Sequence, residues 1–132
     1  MQQATNEAIG QTHDIGVTIL ERARIEAAIG MQGQSILENE RDFAFIQYDH
    51  QAVTPGINMP PRVHTIRTRR WRLSIFDDVE IGELYDLEND PDEFQNLWDD
   101  PDSASVRADL VETLARAEIK HIDRAPFPSA HA

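Results

Sequence analysis

The sequence predicts an α+β fold, an antiparallel sheet of about four strands with one long C-terminal helix against a face of it. Three observations carry this expectation. Short runs rich in apolar and β-branched residues stand at 43–48, 63–68, 72–76 and 83–86. The last three are joined by connections too short for any but antiparallel neighbours. Beyond residue 100 the period changes, and Val106, Leu110, Leu114 and Ala117 fall on one face of a helix.

Residues 14–24, DIGVTILERAR, read as a short helix. Asp14 is its expected N-cap, because a carboxylate there accepts a free first-turn amide. Ile15, Ile19, Leu20 and Ala23 lie along one face. Gly30 and Gly33 supply turn conformations around Met31 and Gln32, and Ser35-Ile36-Leu37 ends that loop. Three prolines and a glycine in TPGINMPP, 54–61, predict an irregular connection between the first two strands. A tight turn at Arg69-Arg70 joins the next pair, and the loop 77–82 leads to the last strand. Asp90-Pro91 reads as a cap followed by a first-turn proline, opening a short helical turn through Asn96. Asp100-Pro101 repeats the signal and starts the long helix, which runs to about Ile119 with Glu112 and Arg116 as an i,i+4 pair. The tail DRAPFPSAHA is expected to lie extended. The expected organisation is therefore a helix and loop over 1–40, a sheet-plus-helix subdomain over 41–122 and an extended tail over 123–132.

Composition narrows the function. The chain has 132 residues, enough for one core without cross-links. It carries 24 Asp and Glu against 12 Lys and Arg, a net charge of −12, which repels phosphate backbones and anionic lipid. Neither a nucleic acid nor a membrane is an expected partner, and no apolar run approaches a bilayer span. The absence of cysteine excludes disulfides, thiolate metal sites and a cysteine nucleophile. Residues 1–12 show no basic start and no apolar stretch, so no signal peptide is read and a cytoplasmic location is expected.

Residues 82–98 read GELYDLENDPDEFQNLW. This run resembles the signature near the C-terminus of the sulfatase family, where a strand ends in E-L-Y-D-L, turns at D-P and continues to N-L. Glu83, Leu84, Tyr85, Asp86, Leu87, Asp90, Pro91, Glu93, Asn96 and Leu97 agree with it. Three further segments match the family in order. HDIGVTILERARI, 13–25, is similar to its D-I-x-P-T-I-L-x-x-A-G-I helix, GMQGQSIL to its G-x-x-G-x-S-L-L loop, and VHTIRTRRWRLSIF to the paired strands before E-L-Y-D-L. Val17 replaces the helix proline and Arg24 the glycine at the helix end. A non-glycine residue in a left-handed helix end costs about 1 kcal/mol, so either the helix ends differently or the strain is borne. In the resembling fold this chain is the C-terminal subdomain of an alkaline-phosphatase-like α/β enzyme, and helix 14–24 packs against a larger parallel sheet. Standing alone, its apolar face stays partly bare.

The resemblance implies sulfuric ester hydrolysis by a formylglycine made from the first residue of C/S-x-P-x-R, its hydrate attacking sulfur beside a divalent cation, usually calcium. In the family those parts precede this region, so no catalytic, cofactor or metal residue is expected in residues 1–132. Asn58-Met59-Pro60-Pro61-Arg62 fits x-x-P-x-R, but asparagine cannot become formylglycine. Asp77-Asp78 reads as a pair of solvated turn aspartates. Asp86, Glu88 and Asp90 fit the first three ligand positions of a calcium loop, yet Pro91 and Leu97 stand where its glycine and bidentate glutamate belong. Asp86 is placed instead to bond amides of the turn after it. Arg67, Arg69, Arg70 and Arg72 cluster in an otherwise acidic chain. They read either as a solvated strand pair neutralising nearby carboxylates or as an anion-attracting rim. With His50 and His64 beside the proline-rich loop, Arg67 and Arg69 form the candidate substrate rim. Trp71 and Trp98 read as packing residues. Three functions fit: a sulfatase C-terminal subdomain partnered by the remainder of that fold, a free-standing self-associating or interaction module, and part of a related phosphonate or phosphodiester hydrolase.

Overall fold

The computed structural model describes residues 8–37, 40–49, 62–77 and 79–122. The chain divides into two compact units, 42–117 and, among the described residues, 8–41 together with 118–122. His50, the 54–61 connection, Asn58, Asp78 and the 123–132 tail lie outside the described residues.

In the unit 42–117, β1 (Phe43–Asp49), β2 (Arg62–Thr68), β3 (Trp71–Phe76) and β4 (Gly82–Asp86) form one sheet in the order β1-β2-β3-β4. All three pairings are antiparallel, with Phe45 opposite Ile66, Ile66 opposite Leu73 and Leu73 opposite Leu84. Residues directly opposite share a face, so these four form one apolar row across the sheet. Leu110, Leu114 and Ala117 of the C-terminal helix complete the buried cluster, with Val106, Trp71, Leu97 and Trp98 packed at its border. Both tryptophans thus serve packing. The helix opens as a 3₁₀ turn (Pro101–Ser103) and becomes α-helical over Ala104–His121, here α2. Asp100 caps it: its carboxylate accepts the Asp102 amide at 3.3 Å and the Ser103 hydroxyl at 2.7 Å.

The stretch 90–96 is a turn, not the expected helical one. The Asp90 carboxylate still takes two free amides, those of Phe94 at 3.1 Å and Gln95 at 2.8 Å. Glu93 adopts φ 58°, a left-handed conformation that prevents the turn from propagating as a helix. The chain then returns along β4. Leu97 donates its amide to the Leu84 carbonyl at 2.8 Å, while the Asn96 side chain accepts from Leu84 N and donates to Gly82 O, both at 3.0 Å. That seals the outer edge of β4 at these residues. Trp98 lies so close to Gly82 that a Cβ there would run into its ring, and Arg107 covers the ring 5.1 Å from its centroid.

In the other unit, α1 spans Asp14–Arg22. Asp14 is not its cap: His13 holds that place, in a helical conformation and without a side-chain bond to the helix. The helix ends with Ile25 N bonded to Leu20 O and Arg24 N to Glu21 O, both at 2.9 Å, while Arg24 adopts φ 58°. This is the paired-bond ending that normally places glycine where Arg24 stands. The strain expected from the sequence is therefore borne. Gly33 packs on the start of α1, where a Cβ would meet the His13 carbonyl at 2.6 Å. Ile15 and Ile19, one turn apart, remain 51% and 62% exposed.

Candidate functional site

Among the described residues, chemistry-bearing side chains gather at three places: the sheet face opposite α2, the β4 turn, and the start of α1. On the sheet face, Thr65 and Ser74 stand opposite one another, their buried hydroxyls 2.9 Å apart. Arg72 lies two residues before Ser74, hence on the same face, and donates to its hydroxyl at 2.9 Å. The Arg72 guanidinium also meets Glu93 at 2.8 Å and Glu83 at 3.0 Å, and it stacks 4.8 Å from the Tyr85 ring centroid. Arg67 approaches the other oxygen of Glu93 at 3.9 Å. Burial, with the nearby Glu83 charge, pushes the Tyr85 phenol up. Two arginines thus face two glutamates, a balanced network.

At the turn, Arg70 grips Asp86, its terminal nitrogen 2.8 Å from one oxygen and its Nε within 3.3 Å of both. The Asn89 amide donates to Asp86 at 2.8 Å and the Glu88 backbone amide at 3.2 Å. Arg70, then Asn89 and the Glu88 amide, hold the Asp86 carboxyl down at about 2 against the work of burial. The bonded backbone amide is that of Glu88; the turn is closed further by the Asp86 carbonyl, which accepts from Asn89 N and Asp90 N.

At the start of α1, Asp14 is fully buried. Burial opposes its charge, but the Arg41 guanidinium, bidentate at 2.6 and 2.9 Å, and the amides of Gln34 and Gln11 outweigh that and hold the carboxyl at about 2. This pair and the Gln34 amide tie Arg41 and the 30–37 loop to the start of the helix. Two shallow concavities of about 210 and 330 Å³ adjoin that loop. They share Gly30, Met31 and Gln32, and Lys120 and His121 line the first, His13 the second. Among the described residues no carboxylate lines either.

The three described rim residues stand at separate places. His64 shares the α2-side face with Phe45, whose ring meets it edge-on at 5.9 Å, and its Nε2 lies 3.5 Å from the Gln47 amide nitrogen. Arg67 is on the opposite face, Arg69 is exposed in the hairpin turn, and His50 lies outside the described residues. Arg67, Arg70 and Arg72 neutralise nearby carboxylates. Two structural residues carried no signal of their own. Arg41 sits in a polar loop, where nothing in the sequence selects it over Arg22 or Arg24 as the partner of Asp14. Asn96 was visible only as a member of the N-L motif.

The divalent cation implied for the family does not fit these carboxylates. Asp86 is taken by Arg70 and Asn89, Asp90 by two amides, and Glu88 lies 3.5 Å from Arg70. Among the described residues no three His, Asp or Glu side chains form a metal-holding group. No helix among them is long and apolar enough to cross a membrane.

Residues 1–120 match the family model described as N-sulphoglucosamine sulphohydrolase, C-terminal. An N-acetylglucosamine-6-O-sulfatase of Bacteroides thetaiotaomicron is 28% identical over 131 residues, which cover 93% of this chain and 24% of that protein. Among solved structures, the phosphonate monoester hydrolase of Agrobacterium radiobacter superposes with a TM-score of 0.78 at 26% identity, over 92% of this chain and 27% of that one. A protein solved in complex with its substrate D-glucosamine-2-N,6-O-disulfate gives 0.69 at 27% identity, over 89% and 25%. The chain spans about a quarter of the length of each of these relatives.

Proposed function

Because the chain belongs to the N-sulphoglucosamine sulphohydrolase C-terminal family, the C-terminal domain of sulfatase-like proteins, we propose that it serves as the structural C-terminal part of an enzyme that hydrolyses sulfate esters of amino sugars. One observation supports a structural role above others. The strongest signature of the chain, 82–98, is occupied internally: Asp86 with Arg70, Asp90 with two amides, Asn96 with the edge of β4. These polar groups build the turn, bonded within the domain, which supports a structural role. The formylglycine and cation of such an enzyme would lie outside residues 1–132.

The assay is direct. The purified chain should turn over neither 4-nitrophenyl sulfate nor a phenyl phosphonate monoester, with or without calcium. Turnover that survives repurification and is lost on a point substitution within residues 1–132 sinks the proposal. The DNA upstream in the same frame offers a second test, since the proposal expects C/S-x-P-x-R there.

A second reading, hydrolysis of phosphonate monoesters, is favoured by the higher TM-score to the Agrobacterium enzyme, 0.78 against 0.69. Comparing the two substrates on an enzyme that contains this domain separates the readings.

A further inference from the structure

We propose that this chain associates head to tail with a second copy of itself, the Phe94 ring of one copy seated in the concavity lined by Ile29, Met31 and Ile122 of the next. The proposal goes beyond the proposed function and does not rest on it. Phe94 is the most exposed large apolar side chain among the described residues, at 88%. It does not stand on a loose tip. The Asp90 carboxylate accepts its amide at 3.1 Å and that of Gln95 at 2.8 Å. Glu93 before it is held at φ 58°, its carboxylate on Arg72 at 2.8 Å. Strain held in place beside a bare ring marks a contact point, and aromatic rings are common anchors of protein interfaces.

The receiving site has its two walls pinned together. Gln32 donates its side-chain amide to the His121 carbonyl at 2.8 Å, which fixes the 29–32 stretch against the end of α2 within one compact unit. The hollow there is about 210 Å³, more than the roughly 150 Å³ that holds a benzene ring in an apolar protein cavity. Ile29 and Ile122 lining it are 75% and 64% exposed, and Gly30 leaves it open, since a Cβ there would meet nothing within 4 Å. Charge selects the same pairing. The chain carries −12, yet Lys120 and His121 line this hollow and among the described residues no carboxylate does. Phe94 comes with the exposed Asp92 two residues before it, so an acidic projection meets the one lysine of the chain. The contact is heterologous: a bound pair keeps one free ring and one free hollow, and adds further copies. It is also small, and copies of like net charge repel, so its Kd is expected on the order of 0.1 mM.

Sedimentation of the full chain, at concentrations that bracket this value, tests the pairing. The weight-average mass should rise past that of a dimer without a plateau. Phe94→Ser removes the ring and Gly30→Leu fills the hollow, and each variant alone should stay monomeric. Mixed in equal amounts they should form a dimer and nothing larger. Each supplies the part the other lacks, and the pair has no usable ring or hollow left. Lys120→Glu should raise the Kd of the unmodified chain roughly five-fold. Circular dichroism checks that each variant keeps the parent spectrum; if Gly30→Leu does not, Ile29→Asp at an exposed position of the hollow takes its place. A monomeric unmodified chain overturns the proposal, as does a mass that stops at the dimer, since the contact would then be symmetric. So does an association that Phe94→Ser, Gly30→Leu or Lys120→Glu leaves unchanged. Two folded, monomeric variants that stay apart when mixed overturn it as well.

Discussion

The sheet unit and the α1 unit solve the same problem in opposite ways. In the first, Ile66, Leu73 and Leu84 have no exposed surface, and aromatic residues from β1, β3 and the 97–98 segment close around them. In the second, the described residues contain no Phe, Tyr or Trp, isoleucines face out, and the buried group is a carboxylate with its arginine. Apolar burial contributes about 25 cal/mol per Å² and needs no exact geometry. A buried ion pair contributes little net stability, but removing one member is costly because the other is left charged and dry. The first unit therefore has a core of its own. The second is held by a precise ion pair and leaves aliphatic side chains on its surface.

The largest expected effect separates the two kinds of burial. Leu84→Ala should destabilise the sheet unit by about 2–5 kcal/mol through the cavity it leaves. Ile19→Ala in the isolated chain should change stability by no more than about 0.5 kcal/mol, since an exposed side chain leaves no cavity. Urea titrations followed by tryptophan fluorescence read the first, because Trp71 and Trp98 both lie in the sheet unit. Amide exchange across α1 reads the second. An Ile19→Ala loss as large as that of Leu84→Ala would break the comparison.

Next in size is the turn of the sheet unit. Asp86→Ala removes the acceptor of Arg70, Asn89 and the Glu88 amide, and should cost about 1.5–3 kcal/mol. Melts of the unsubstituted chain in calcium and in chelator should coincide. A calcium-dependent rise abolished by Asp86→Ala would make the turn a metal site by mass action.

The sequence made the sheet unit far more legible than the α1 unit, for a physical reason. Strand alternation, short connections and the stripe Leu110, Leu114, Ala117 are periodic signals, and local sequence writes them plainly. The four strands accordingly lie within a residue of where they are expected, and the long helix, counted with its opening 3₁₀ turn, within two. Asp14 misled because a carboxylate before an apolar run is a common cap, and only a partner 27 residues away makes it a buried anchor. The 90–96 turn misled because an Asp-Pro cap is local, whereas the path of the chain after it depends on Asn96 and Leu97 pairing with β4. Of the rim, the sequence could cluster the arginines, but pleating decides faces: His64 and Arg67, three apart on one strand, point to opposite sides.

Acid sharpens the contrast further. Both Asp14 and Asp86 have carboxyl groups held at about 2, below the ordinary 3.8. Each therefore contributes stability that is complete above 3.8 and is lost as pH falls through about 2. Tryptophan-detected stability should fall over that window, and Asp86→Asn should flatten the fall. Asp14→Asn should flatten instead the acid-driven exchange of the Gln11 and Gln34 amides, which bond Asp14 directly. If Asp14→Asn also flattens the tryptophan signal, the two units unfold as one.

The smallest expected effect is a gain, and it too differs between the units. Arg24 and Glu93 both adopt φ 58°, where a Cβ costs about 1 kcal/mol relative to glycine. At Arg24 the side chain is exposed at the end of α1, so Arg24→Gly should relieve that strain and stabilise the helix end by about 0.5–1 kcal/mol. At Glu93 the same relief is offset, because the carboxylate holds Arg72 at 2.8 Å and approaches Arg67 at 3.9 Å. Glu93→Gly also leaves Arg72, whose buried Nε already has no partner, with Glu83 as its remaining carboxylate in the network. Glu93→Gly should therefore be neutral or destabilising, with the same φ and the opposite sign from Arg24→Gly. Amide exchange at α1 for one variant and tryptophan-detected urea melts for the other supply the two numbers. Equal gains at both sites would mean that the Glu93 ion pairs contribute nothing to the sheet face opposite α2.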